Sequence, residues 1–114
     1  MAKDDYHVLA FRILAYLYAC LKAGEKPDNE YLKYGTDKFP IGEAYWYYLL
    51  SHLYAEGYIG GIALIPILGC PEKGVKLLPD LCITPKGIEY LQENSAMQKA
   101  KAFLKELKEV IPGM

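Results

Sequence analysis

The side chains whose types could do chemistry are few: His7 and His52, the cysteines Cys20, Cys70 and Cys82, and an acidic pair, Asp4 and Asp5. Enzyme sites need a nucleophile beside a base, a metal cluster or a pair of carboxylates held together. Neither histidine has a His or Cys partner at metal-ligand spacing. His52 is therefore expected as a packed or half-exposed imidazole, and His7, in a first helical turn, as a solvated one. The cysteines are odd in number, lack any Cys-x-x-Cys spacing and stand beside Ala19, Leu81 and Ile83. They are expected to be buried, reduced thiols. Two acids at a helix start suit capping and the helix dipole better than a cation. Gly57, Gly60 and Gly61 stand between a helical pattern and a strand pattern, whereas a phosphate loop stands between a strand and a helix. The expectation is a chain that is not an enzyme, with no catalytic, cofactor-binding or metal residues and no cofactor. A small-molecule or catalytic site among the tyrosines has no titratable pair to support it.

The chain has 114 residues, 53% of them apolar and 24% charged, with 13 Lys and Arg against 14 Asp and Glu. That is one domain, 1–114, and a chain of this size buries about two thirds of its unfolded surface. A net charge of −1 argues against a general nucleic-acid binder, and the apolar content argues against a disordered chain. The unusual feature is 11 Tyr beside 3 Phe and 1 Trp, which implies amphipathic surface being covered or presented. The first five residues show no basic and apolar leader pattern. The longest uncharged stretch, 57–71, is broken by Gly57, Gly60, Gly61, Pro66 and Gly69, and a spanning helix needs about 20 apolar residues. A cytoplasmic protein without a membrane segment is expected.

The elements that must position these residues can be read in order. Residues 6–22 carry two apolar stripes, one through Leu9, Ile13 and Leu17, the other through Phe11, Leu14, Tyr18 and Leu21. That is too wide for a helix with one wet face, so this helix should meet the core and a second surface. Asp28 can cap a short second helix ending near Leu32 or Tyr34, closed by Gly35. Phe39 before Pro40 is pushed to an extended conformation, and an aromatic helix runs from Ile41 or Gly42 to Glu56, ended by Gly57. From Tyr58 the pattern becomes strand-like. A strand pair follows, with a turn over 69–74 and a bend at Pro79-Asp80. Thr84-Pro85 reads as the cap and first position of a helix ending at Gln92 or Glu93. Ser95 and Gln98 fit a capping box for a last helix over 95–111, packed on the core or on a dimer partner.

Three helices, a two- or three-stranded ribbon and two C-terminal helices give an α+β chain in the order of a winged helix-turn-helix domain. Two motifs sharpen this: Tyr45-Trp46 with Leu49, Leu50 and Leu53 running into Glu56-Gly57-Tyr58-Ile59, then Ile83-Thr84-Pro85-Lys86-Gly87-Ile88-Glu89-Tyr90-Leu91. With Asp4-Asp5-Tyr6 at the start and Ala100-Lys101-Ala102-Phe103-Leu104-Lys105-Glu106 near the end, the chain resembles the small YjcQ family of Gram-positive bacteria and their phages. The resemblance implies a winged-helix fold without an established activity, and brings no catalytic residue with it.

A winged helix first suggests DNA, and reaching base edges or phosphates demands Arg, Lys, Asn, Gln or Ser on the exposed face of the helix after the turn. Residues 41–56 contain no Lys, Arg, Asn or Gln. With Trp46, Leu49, Leu50 and Leu53 inward, Glu43, Ala44, Tyr47, Ser51, Tyr54 and Ala55 are expected on or near the outer side. The first reading is therefore a module that acts through protein contact, with itself as a homodimer or with another protein. Its candidate contacts are Tyr47, Ser51 and Tyr54 on the helix and Ile65 and Ile67 on an apolar wing. The second is a small DNA-binding transcriptional regulator, phage-derived, with Lys73 and Lys76 as phosphate contacts.

Overall fold

Apolar side chains surround residues 6–23 so closely that the helix they form, α1 (Tyr6–Ala23), is buried for most of its circumference. Leu9, Ile13, Leu14 and Leu17 are at most 1% exposed, each contributing about 1.5–3 kcal/mol of apolar transfer. The second expected stripe grades from covered to open: Leu14 is buried, Phe11 and Tyr18 are half-buried, and Leu21 is 52% exposed. The computed structural model describes residues 6–66 and 73–93. In chain order they form α1, α2 (Glu43–Ala55), β1 (Ile59–Pro66), β2 (Lys73–Ile83) and α3 (Pro85–Glu93). This is an α+β arrangement of three helices and one two-stranded antiparallel sheet. The turn expected over 69–74 lies partly, and the last expected helix wholly, outside the described residues.

The short helix expected from Asp28 does not form; the stretch between α1 and α2 is a series of turns. Asp28 does begin one, because its carboxylate accepts the Glu30 N–H at 2.9 Å and its carbonyl accepts the N–H groups of Tyr31 and Leu32, both at 3.1 Å. The turn stops there. Lys33 N–H turns back to the Tyr31 carbonyl, and Gly35, at φ +76°, donates to the carbonyls of Phe39 and Ile41. A stretch this short returns little hydrogen bonding for a costly helical nucleus. Tertiary contacts win instead: Tyr31 stacks on Tyr16 with ring centroids 4.3 Å apart, and Leu32, Phe39 and Ile41 enter the core. Between α1 and α2 the described residues therefore contain no third helix.

α2 opens at Gly42, whose extended backbone places its carbonyl to accept the Trp46 N–H at 3.0 Å. It ends in a doubled cap. Gly57, at φ +83°, donates to the Tyr54 carbonyl, and Tyr58 N–H reaches the Leu53 carbonyl, both at 3.0 Å. This six-to-one and five-to-two pair of bonds is the Schellman arrangement, and its left-handed residue is best served by glycine.

The sheet has one break in register. Ile59 and Gly60 pair with Ile83 and Cys82, but the next pair is Ile62 with Leu77, so Gly61 alone faces Leu78, Pro79, Asp80 and Leu81. The expected bend at Pro79-Asp80 is this bulge. Gly61 is at φ +85°, and a Cβ there would lie 2.5 Å from the Leu81 nitrogen and 2.6 Å from the Asp80 carbonyl carbon. Only glycine lets the two backbones come this close.

Candidate functional site

A joint between the end of α2 and the start of α3 holds the surface in place. Thr84 is the residue at its centre: its hydroxyl donates to the Gly57 carbonyl at 2.5 Å and accepts the Gly87 N–H at 3.1 Å. Its own N–H donates to the Tyr58 carbonyl at 3.0 Å. One threonine thus caps α3 and ties it to the chain leaving α2. Gly87 sits on the Tyr58 carbonyl so closely that a Cβ would collide with that oxygen and come within 2.7 Å of Ile83 Cγ1.

This joint sets the outer face of α2. Trp46, Leu49, Leu50 and Leu53 are buried, as the pattern requires, while Ala44, Tyr48, His52, Tyr54 and Ala55 are exposed. Tyr48 is 55% exposed and Tyr54 43%. Tyr47, expected outside, is instead half-buried against the core and makes an edge contact with Tyr34 at 6.5 Å. At about 100° per residue, Tyr48 stands about 200° from Trp46, nearly opposite the buried stripe, and Tyr47 stands on its flank. The same arithmetic applied to the sequence finds Tyr48. Ser51 is half-buried and its hydroxyl donates to the Tyr48 carbonyl at 3.0 Å. That bond leaves Ser51 less available to a partner.

Tyr48 belongs to a run of rings that crosses three elements. It lies 4.1 Å from His52 and 6.3 Å from Tyr6, Tyr6 makes an edge contact with His7 at 5.5 Å, and His7 Nδ1 is 3.4 Å from the Tyr90 hydroxyl. Tyr90 in turn packs on Phe11 and Tyr58 at 5.7 and 4.8 Å, and the Lys86 ammonium sits 5.6 Å from the Tyr58 ring centre. Both histidines are exposed. His52, expected packed or half-exposed, stands about 240° from Trp46 at about 100° per residue, near Tyr48 on the outer side. Burial, then the neighbouring phenols and Glu56, push Tyr6 above the usual phenol range, and burial does the same to Tyr90. Around neutral pH these hydroxyls keep their protons, so they are neutral donors.

A second aromatic group lies inside. Tyr16 is 2% exposed, and burial pushes its hydroxyl up to about 12, against the lowering effect of the Asp28 N–H that it accepts at 2.9 Å. Burial also raises the Cys20 thiol, against the lowering effect of the same phenol. Tyr34 donates to Glu43 at 2.7 Å, and that bond raises its titration.

Cys20 is buried as expected, but Cys82 is exposed. Its neighbours Leu81 and Ile83 both face the core, so strand alternation turns Cys82 to the other side. Both cysteines line a shallow cavity of about 150 Å³ between the end of α1 and β2. Among the described residues no group of three or more His, Cys, Asp or Glu could hold a metal ion. On the sheet, Lys76 is exposed. Ile67, Cys70 and the side chains of Ile65 and Lys73 lie outside the described residues, as do Asp4 and Asp5. No described helix is long and apolar enough to cross a membrane.

These features define a small α+β protein in which an aromatic helix feeds a bulged hairpin and is clasped by the helix that follows. Residues 11–110 match the YjcQ protein family, and the chain belongs to it. Comparison with curated proteins and with solved structures returns no match.

Proposed function

We propose that the chain is a non-enzymatic module of the winged-helix type that works by protein contact, through the outer face of α2 and the apolar sheet. The winged-helix reading rests on the element order, with α2 entering β1 through a tight cap and α3 returning to the same point. The contact reading rests on one observation above all: the outward side chains of α2 include two exposed tyrosines and a histidine, and no Lys or Arg. Such a face cannot read base edges in the bidentate manner of Arg, Lys, Asn or Gln, and Glu43 and Glu56 at its ends repel phosphate. Exposed Tyr is enriched in protein interfaces, where it supplies area and one hydrogen bond at little entropy cost.

The second reading, a DNA-binding regulator, is supported by the exposed Lys76 on β2. One titration separates the two. Random duplex DNA is followed by fluorescence anisotropy at about 50 and about 200 mM salt, beside sedimentation velocity of the free chain. No DNA binding together with concentration-dependent association is the expected result. Binding tighter than about 10 μM at low salt, lost at high salt and weakened by Lys76→Glu, would establish the DNA reading and sink the contact one.

A further inference from the structure

The two strands of the sheet guard their outer edges differently. β2 carries Lys76 and Asp80, both exposed, and Pro79, which has no N–H to offer; charges and proline are how sheets discourage further pairing. β1 reads Ile-Gly-Gly-Ile-Ala-Leu-Ile-Pro, with no charged residue and its one proline at the end. Among the described residues β1 pairs only with β2, and no other backbone hydrogen bond leaves residues 60–66. One face of the hairpin is apolar over the pairs from Ile62 to Leu64. Ile62 opposite Leu77 and Leu64 opposite Val75 share that face, and exposure rises from 6% at Ile62 to 40% at Leu64.

We propose that β1 is a self-association edge. A second copy adds its own β1 antiparallel across a two-fold axis, giving a four-stranded sheet in the order β2-β1-β1-β2. Three features favour a second copy over a foreign strand. An antiparallel strand paired with its own copy is self-complementary under a two-fold axis. An uncharged edge meets an identical edge without repulsion. Pairing also closes after two copies, because the outer edges of the new sheet are both β2, each with its Lys76, Pro79 and Asp80. Leu64 then lies beside apolar residues of the same face of the second copy and loses its exposure. This deepens the contact reading by naming one partner, and rests on it; the face around Tyr48 stays available to another protein.

The test is sedimentation velocity of the full chain from about 2 to about 200 μM, with amide hydrogen exchange at both ends of that range. A dimer is expected whose formation slows exchange at β1 amides and leaves the β2 edge unchanged. Leu64→Lys should raise the dissociation constant at least about tenfold, and Tyr48→Ala should leave it within about twofold. A monomer throughout, a dimer whose β1 amides exchange as in the monomer, or growth beyond two copies would each overturn the proposal. A dimer lost with Tyr48→Ala and kept with Leu64→Lys would overturn β1 pairing and leave the helix-face reading standing. Since exchange on the unaltered chain reads β1 directly, an unfolded Leu64→Lys would still leave a decisive result.

Discussion

The Thr84 joint and the outer face of α2 lie at opposite ends of what a backbone demands of its residues. At the joint nearly every atom is committed: Thr84 makes four hydrogen bonds, Gly57 holds a positive φ, and Gly87 has no room for a methyl group. On the outer face, Tyr48 and Tyr54 meet solvent over about half of their surface. The joint's residues follow from the fold, since few other side chains could stand there. The tyrosines do not, because exposed helix positions accept most good helix formers. Large aromatic groups at positions the fold leaves free therefore point to a contact outside the chain.

Substitutions can break this contrast. Gly87→Ala should have the largest effect, because the new Cβ meets the Tyr58 carbonyl and Ile83 with no flexible side-chain end able to move away. A loss of about 3 kcal/mol in urea unfolding is expected. A loss below about 0.5 kcal/mol, the level of an ordinary surface change, would show that the joint is looser than its contacts indicate. Thr84→Val keeps the shape and removes the hydroxyl, so both the α3 cap and the tie to Gly57 go; about 1–2 kcal/mol is expected.

Tyr16→Phe should cost about 1 kcal/mol at neutral pH, through the unsatisfied Asp28 N–H, and it carries a pH signature. The folded Tyr16 titrates near 12 and the free phenol near 10, so above pH 10 the unfolded chain binds fewer protons and stability falls as pH rises. The contribution is full below pH 10 and is lost as pH rises through about 12. Thermal melts between pH 9 and 12 should therefore fall less steeply for the Phe variant. At the other extreme, Tyr48→Ala should change the stability of the isolated chain by less than about 0.5 kcal/mol, while it removes binding to any partner seated on α2. A large loss of stability there would place Tyr48 in the fold and erase the contrast.

The legibility of the sequence follows the same division. The Gly57 cap, the Thr84-Pro85 start and the bend at Pro79-Asp80 are legible because each is a local demand on residue type, and each is found. The misread parts depend on tertiary contacts. Asp28 begins a turn, but with Tyr31 stacked on Tyr16 and Leu32 buried the expected helix does not form. The apolar neighbours of Cys82 suggest the core, yet those neighbours, at odd spacing in a strand, are what turn it outward. On α2 the buried stripe is as expected, and so are Glu43, Ala44, Tyr54 and Ala55 on the exposed side, but Tyr47 and Ser51 are half-buried and the outermost ring is Tyr48, which the expectation lacks. The run of rings from His52 to Tyr90 joins α2, α1 and α3, and nothing in local spacing announces it.

The hydrogen bond from Thr84 to Gly57 also bears on how this protein can vary. The chain leaves the helices at Gly57 and re-enters them at Thr84, within one hydrogen bond of its point of departure. The hairpin is therefore an appendage whose two ends are fastened independently of its length. Lengthening a loop whose ends are already held costs little, about 0.6 kcal/mol for each doubling. Relatives of this chain should accordingly exchange, extend or trim the outer part of the hairpin while keeping the threonine and the two glycines that fasten it.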